Sequence, residues 1–400
     1  MTQNQVDAQK NTSQGSTKGD ILVVDDTPAN LRLLSKMLNE QGYRVRPVPD
    51  GRLALAAAQA KPPDLILLDI RMPDLNGYQV CERLKAESRT KDIPIIFISA
   101  LDAVQDKVKA FTVGGVDYIT KPFHIEEVLA RVETHLALRK LQEQLELANQ
   151  KMAQELALAG EVQEGFFPQE LPDIAGWQLS MKMKSARETS GDFFDVIPLP
   201  RGYYGILMAD VVDKGVAAAL FMALSWSLIR TYAGDFPSHP EMVLTSVNQR
   251  ILEDTTAQQF VTIFYAVLDP KSGRFVFANA GHSPPIVFNS QSGEILQRLE
   301  HTGKPLGLFE DEVWDQGEIK LSPGDVVVVY TDGVSEAQNE QQEFFDESGL
   351  VASVQRHLGA PAGDIAHGIL SNVEEFIADA PQVDDIGIAV LMRDLATDTE

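Results

Sequence analysis

The sequence has one cysteine in 400 residues, Cys81. No intrachain disulfide can form, as expected of a chain kept in a reducing cytoplasm. Cys81 lies in an amphipathic helical pattern, where an ordinary packing or surface thiol is expected rather than a nucleophile. Basic residues are scarce: 34 Lys and Arg stand against 58 Asp and Glu, a formal net charge of -24. Binding to nucleic-acid phosphates needs clustered cations, so no nucleic-acid partner is expected, and docking to an anionic membrane is disfavoured. No basic recognition helix is present, which counts against a transcription factor. No GGDEF-like turn is present, which counts against a cyclic-dinucleotide synthase. Residues 1–20 lack an apolar core and make no signal peptide; residues 1–19 read as a disordered tail, and 394–400 as a second tail. The most apolar run, 216–229, is interrupted by Ser225 and Ser227 and is too short to span a bilayer. It reads as a buried helix. The hydrophobic fraction of 44% still provides globular cores, and the length allows two or three domains.

From residue 20 onward, apolar runs at 21–24, 65–68, 95–98 and 118–119, with a weaker one at 43–47, alternate with helix-period segments such as 29–41 and 51–60. This alternation predicts a parallel sheet with helices on both faces. Ligands of such sheets bind at the carboxyl ends of the strands. Asp25 and Asp26 close the first run, Asp69 the third and Ser99 the fourth, and Lys121 follows the fifth. Singly, Asp25 reads as a helix N-cap, Ser99 as a strand-end hydroxyl and Lys121 as a solvated side chain. Jointly, a carboxylate trio, a hydroxyl and a lysine at one sheet edge suit Mg2+ and a phosphoryl group. Asp69 is the natural nucleophile toward a phosphoryl donor, with Lys121 neutralising the transferred charge.

The stretch 191–215 holds four aspartates, Asp192, Asp195, Asp210 and Asp213, around the strand-like YYGILMAD. Asp210 falls where that strand runs out. An acidic group there is costly unless something positive satisfies it, and hard divalent cations do so with carboxylate and carbonyl ligands. Asp332 follows the β-branched run 326–330, and Asp384 and Asp385 precede the apolar run 386–392. Aspartate is common in turns, so each alone is unexceptional. Three separated carboxylates at strand boundaries point to one site assembled from distant segments. Around them, strands are expected at 177–184, 193–199, 203–210, 262–268, 274–280 and 325–330, and helices at 215–233, 240–254, 349–357 and 363–376.

The motifs VVDD, LLDIRMPDLNG, FISA and DYITKPF resemble those of response-regulator receiver domains over residues 20–137. The resemblance implies a doubly wound, flavodoxin-like five-stranded parallel sheet with Asp69 as phosphoacceptor. It implies Mg2+ held by Asp25, Asp26, Asp69 and the Arg71 carbonyl, with Ser99, Tyr118 and Lys121 as the switch and phosphate-binding residues. It also implies a cis Lys121–Pro122 peptide. Further on, GDFFD, ADVVDKG, NAGHSPP, YTDGVSEA and DDIGIAV occur in order. They resemble the PP2C-type serine phosphatase domain of the SpoIIE/RsbU family, and the domain is expected over 161–393. That likeness implies an α/β/β/α sandwich holding two Mn2+ or Mg2+ ions bridged by Asp210. The Val211 carbonyl, Asp332 and Asp385 would complete the set, with Asp192 as a further or outer ligand. Asp210, Asp332 and Asp385 become the catalytic carboxylates, activating water against phosphoserine or phosphothreonine. Asp195 is left as either ligand or structural residue, and His282 as either general acid or packed side chain. Family members usually carry Gly where Asp213 stands. Lys184 and Arg187 are the candidates for a phosphate clamp. Gln163, Phe167 and Pro168 match the family's entry segment.

Residues 125–158 contain no Gly or Pro, and Leu138, Leu141, Leu145, Ala148, Met152 and Ala159 keep an a/d spacing broken by Glu155. Such a helix is either a two-stranded coiled coil or a single amphipathic connector. As a linker over 138–160 it points to a homodimer. The whole reads as a cytoplasmic response regulator. A sensor histidine kinase or phosphotransfer protein would phosphorylate Asp69, and the helix would transmit the change. The phosphatase would then act on a phosphorylated STAS-type anti-sigma-factor antagonist, a substrate class that rests on kinship alone. The alternative is a degenerate phosphatase that sequesters a partner without catalysis.

Overall fold

The computed structural model describes residues 17–100, 104–168, 170–255 and 259–395. The expected N-terminal tail up to residue 16, and all but two residues of the expected C-terminal one, lie outside the described residues. The chain forms two compact units, Met1–Gln150 and Lys151–Glu400.

The first unit alternates strand and helix: β1 (Asp20–Val24), α1 (Pro28–Glu40), β2 (Arg44–Val48), α2 (Gly51–Ala60), β3 (Leu65–Asp69), α3 (Gly77–Ala86), β4 (Ile95–Ser99), α4 (Val104–Thr112), β5 (Asp117–Thr120) and then α5 (Ile125–Glu164). The strands make one parallel sheet in the order β2-β1-β3-β4-β5. β1, β3 and β4 are almost wholly buried because alternate residues serve two cores. Leu22, Ile66 and Phe97 join the core that includes α2 and α3, while Val23, Leu67 and Ile98 join the one that includes α1 and α5. Each such side chain contributes about 1.5–3 kcal/mol on burial. Local chemistry fixes the helix starts: Asn76 and Gln79 form a capping box on α3, and Asp50 caps α2. The Lys121–Pro122 peptide is cis.

The helix α5 continues to Glu164, through Gly160. The linker expected over 138–160 is thus four residues longer at this end. Gly160 lies under the Glu188 carbonyl so closely that only glycine, with no Cβ, admits the approach.

The second unit contains β6 (Trp177–Lys184), β7 (Phe193–Leu199), β8 (Tyr203–Val211), α6 (Val216–Asp235), α7 (Pro240–Asp254), β9 (Val261–Asp269), β10 (Arg274–Ala280), β11 (Ile286–Asn289), β12 (Ile295–Arg298), β13 (Gly317–Lys320), β14 (Asp325–Tyr330), α8 (Asp332–Ser335), α9 (Asp346–His357), α10 (Ala362–Ile377) and β15 (Ile386–Arg393). Two antiparallel sheets result, β13-β10-β9-β8-β7 and β12-β11-β14-β15-β6. β14 shows why they stack. Val327 and Val329 point into the core between the sheets, while Val326, Val328 and Tyr330 pack with α9 and α10. On the other side Phe193, Leu207 and Ile263 pack with α6 and α7. The layering is α/β/β/α.

α6 departs from the sequence reading. The apolar run 216–229 reads as too short to span a bilayer, but the helix runs twenty residues, two beyond its expected end at 233, and by length and composition alone it could cross one. Nor is it buried all round. Phe221, Met222, Ser225 and Ile229 face the core, while Val216 and Leu220 are exposed. Arg230 does not end it, because that side chain turns back onto the sheet.

Candidate functional sites

In the first unit, the carboxyl ends of β1 and β3 bring Asp25, Asp26 and Asp69 together, with one ligand atom of each within 4.8 Å of the others. Asp25 is fully buried and Asp69 nearly so, while Asp26 is exposed. Lys121 Nζ donates to Asp25 Oδ2 and to Asp69 Oδ2, both at 2.8 Å. Asp25 also accepts from the Thr27 N–H at 2.8 Å and from Asn30 Nδ2 at 3.0 Å. The Arg71 N–H approaches Asp69 Oδ1 at 3.4 Å. Burial raises the Asp69 pKa, although Lys121 pulls it down. Burial also opposes the Lys121 charge, but its bonds to Asp25 and Asp69 prevail and raise its pKa. Ser99 is buried at the end of β4. Tyr118 is half-buried, with Phe111 edge-on to its ring and Lys107 Nζ 4.7 Å above it.

In the second unit, Asp192 precedes β7, Asp210 is the penultimate residue of β8, Asp332 follows β14 and Asp385 precedes β15. β7 and β8 are paired, as are β14 and β15, so the four carboxylates gather at one end of the sandwich. Burial, then the neighbouring Asp210, raises the Asp192 pKa well above the ordinary carboxylate range. Asp210 is raised too, by burial first. Asp332 is pushed up to about 7 by burial, with Asp210 and Asp384 adding to it. Asp192 Oδ2 is buried with no hydrogen-bond partner. This concentration of buried negative charge, with an orphaned oxygen in it, fits a divalent cation. Among the described residues only the trio of Asp25, Asp26 and Asp69 gathers three such ligand atoms within 4.8 Å; the carboxylates of the second unit spread more widely.

Asp385 is held by the segment before β7. Its Oδ1 accepts from the Ala186 N–H at 2.7 Å, and its Oδ2 from Ser190 Oγ at 2.7 Å and the Gly191 N–H at 3.0 Å. Gly333 is obligatory in the Asp332 turn, since a Cβ would meet the Asp385 carbonyl oxygen at 1.9 Å. Lys214 reaches Asp384 Oδ1 at 2.8 Å and the Val383 carbonyl at 2.6 Å. Asp213 has φ +78°, which explains the glycine usual at that position.

Asp195 faces away from these carboxylates. It is fully buried and accepts from Arg230 of α6 at 2.5 and 2.9 Å and from the Val196 N–H at 2.8 Å. Its role is to pin α6 to β7. His282 is 1% exposed, with Nδ1 3.2 Å from Thr262 Oγ1. Burial brings its pKa down to about 3, which favours the packed side chain of the two readings. Lys184 is paired with Glu374 at 2.6 Å, while Arg187 is exposed with no ion pair among the described residues. Sequence reasoning missed Ser190, Asn30 and the Lys214–Asp384 pair. Only the position of Ser190 beside GDFFD offered a signal.

The first unit therefore has the receiver architecture and the second the PP2C architecture. Comparison with known proteins agrees. Residues 21–133 match the response regulator receiver domain, and residues 200–394 match stage II sporulation protein E (SpoIIE). Protein IcfG of Synechocystis sp. is 31% identical over 60% of this chain and 41% of its own length. The phosphoserine phosphatase RsbU of Bacillus subtilis is 28% identical over 65% of this chain and 74% of its own. The DNA-binding regulator RpaA of Synechocystis sp. is 46% identical over 29% of this chain and 48% of its own. The chain thus spans less than half the length of IcfG and of RpaA. The SiaA-PP2C domain of Pseudomonas aeruginosa superposes with a TM-score of 0.56 at 21% identity, covering 62% of this chain and 99% of that one, a likeness of fold. The chain joins a response-regulator receiver domain to a SpoIIE-type PP2C domain.

Proposed function

We propose that phosphorylation of Asp69 controls a metal-dependent phosphoserine and phosphothreonine protein phosphatase in the second unit. The observation that carries this reading is the buried Asp192 oxygen without a partner, with burial raising the pKa values of Asp192, Asp210 and Asp332 around it. Asp210 with the Val211 carbonyl, Asp332, Asp385 and Asp192 would hold the Mn2+ or Mg2+ pair. Ions held there supply positive charge for the phosphoryl oxygens and bring the pKa of a water toward neutrality. The residues would set the ions' places. A cysteine nucleophile has no part: Cys81 is buried in the other unit, and burial pushes its thiol up to about 11.

In the receiver, Asp25, Asp26, Asp69 and the Arg71 carbonyl would hold Mg2+. Asp69 takes the phosphoryl group from a histidine kinase or phosphotransfer protein, and Lys121 stays beside the new charge. Ser99 and Tyr118 are the switch pair. Leu138, Leu141, Leu145 and Met152 form an exposed stripe on α5 at heptad spacing, which supports a homodimer through this helix. Kinship with RsbU supports a phosphorylated STAS-type protein as substrate.

The test is hydrolysis of p-nitrophenyl phosphate with added Mn2+, with and without beryllofluoride as a mimic of the phosphoryl group. Mn2+-dependent turnover that changes with beryllofluoride and is abolished by Asp210→Asn supports the reading. Turnover unaffected by Asp210→Asn removes that residue from the site. No turnover in either state favours a phosphatase fold that binds a partner without catalysis.

A further inference from the structure

The turn between β8 and α6 carries a lysine beside the carboxylates of the second unit. Asp213 at φ +78° and Gly215 at φ +85° bracket Lys214, so the backbone reverses tightly there. A Cβ on Gly191 would stand 3.5 Å from the Asp213 carbonyl and 3.6 Å from Asp210 Oδ1, which places this turn next to Asp210. From the turn Lys214 Nζ crosses to the entry of β15, a strand of the other sheet. There it meets Asp384 Oδ1 at 2.8 Å and the Val383 carbonyl at 2.6 Å. The Lys214 side chain is 31% exposed and that of Asp384 37%, and a pair so open to water is weakly held. The ammonium is nonetheless felt at the site, since it pulls the Asp210 pKa down against the rise that burial causes. The other cations near these segments are placed differently. Lys184 is paired with Glu374 at 2.6 Å, Arg230 is committed to Asp195, and Arg187 is exposed with no ion pair among the described residues.

We propose that Lys214 binds the phosphoryl group of the substrate, its ammonium passing from Asp384 to a phosphoryl oxygen. The inference rests on the reading of the second unit as a phosphatase. A phosphoserine carries close to two negative charges at neutral pH, and it has to approach a site built of carboxylates. A point charge on a flexible four-carbon stem suits that task, because it exchanges one anionic partner for another without moving the backbone. The exchange is favourable because the phosphoryl group offers more charge than the single, half-wetted carboxylate it replaces.

The experiment is calorimetric titration of inorganic phosphate into the Mn2+-loaded full chain, beside titration of Mn2+ into the chelator-stripped chain. Lys214→Met is expected to weaken phosphate binding about tenfold, and Lys214→Arg to recover most of the loss by keeping the charge. Mn2+ should bind Lys214→Met as tightly as the parent or tighter, because the change removes a cation. In turnover, KM should rise about tenfold for p-nitrophenyl phosphate and for a phosphoserine peptide alike, since the contact is to the phosphoryl group and not to the leaving group. A phosphate isotherm unmoved in Lys214→Met overturns the proposal, and if Arg187→Met weakens it instead, the charge belongs to Arg187. Weaker Mn2+ binding in Lys214→Met also overturns it, by showing that the lysine is a clasp that shapes the site. A KM change confined to the peptide does the same, by moving the contact to the polypeptide. A parent chain that binds phosphate yet hydrolyses neither substrate would sink the phosphatase reading, and the phosphate isotherms would still judge Lys214.

Discussion

The Asp195–Arg230 pair makes an asymmetric prediction. Asp195 is fully buried, whereas the Arg230 side chain is 41% exposed and lies over the Trp226 ring at 4.6 Å. Arg230→Met strands a carboxylate with no route to water, a loss of about 3–5 kcal/mol. Asp195→Asn leaves a cation that can swing outward, so the loss is about 1–3 kcal/mol. Because leaving one charge unpaired is what hurts, the double variant Asp195→Asn/Arg230→Met should be more stable than Arg230→Met alone. The assay is urea unfolding followed by tryptophan fluorescence. All three tryptophans, Trp177, Trp226 and Trp314, lie in the second unit, so the signal reports that unit. In thermal melts the larger loss corresponds to about 6–20 °C for a unit of this size. Equal losses from the two single variants, or a double variant worse than both, would refute the reasoning.

Three further outcomes are expected. The Asp332 pKa is raised from 3.8 to about 7 in the metal-free fold, so the fold favours its protonated form. That contribution to stability is complete below about pH 4 and is lost as pH rises through 7. The metal-free second unit should melt lower at pH 7.5 than at pH 5, with Mn2+ reversing the loss; a melting temperature that climbs over this range contradicts the assignment. Gly333→Ala should abolish Mn2+-dependent hydrolysis, since the new methyl group collides with the Asp385 carbonyl; retained activity would show that the turn can yield. Leu141→Glu/Leu145→Glu should convert a dimer to a monomer in light scattering, and an unchanged mass would move the interface elsewhere.

The fold class was legible because periodicity survives in single segments. β3 and β14 announce themselves as apolar runs with a carboxylate at the end. The shorter β11, β12 and β13, of four residues each, carry too little pattern to be read. The carboxylates at strand ends were visible for the same reason that they are costly: an acid beside a buried run needs an explanation. Their partners were not. Ser190 and Asp385 stand 195 residues apart, and Asp195 finds Arg230 across 35. Nothing local in the chain encodes those meetings. The helix outruns its expected end at residue 160, where a tertiary contact that only glycine permits outweighs the low helix propensity of Gly160. For His282 the residue type left a general acid and a packed side chain both open, and only the fold shows that it is buried.

The helix α5 is anchored at both ends and bare between. Val128 and Val132 sit in the receiver core, Gly160 and Gln163 are buried in the second unit, and every residue from Lys140 to Glu155 is exposed. An isolated helix of that length is only marginally stable, because nucleation is unfavourable. During synthesis the receiver emerges first and provides the nucleus. Elongation proceeds at about nanoseconds per residue, while the ribosome adds roughly 5–20 residues per second. Helix growth from that nucleus is therefore far faster than synthesis of the chain. β15 lies between β14 and β6, which precede it in sequence. The carboxylate at its head therefore joins Asp192, Asp210 and Asp332 only once β15 has entered the sheet.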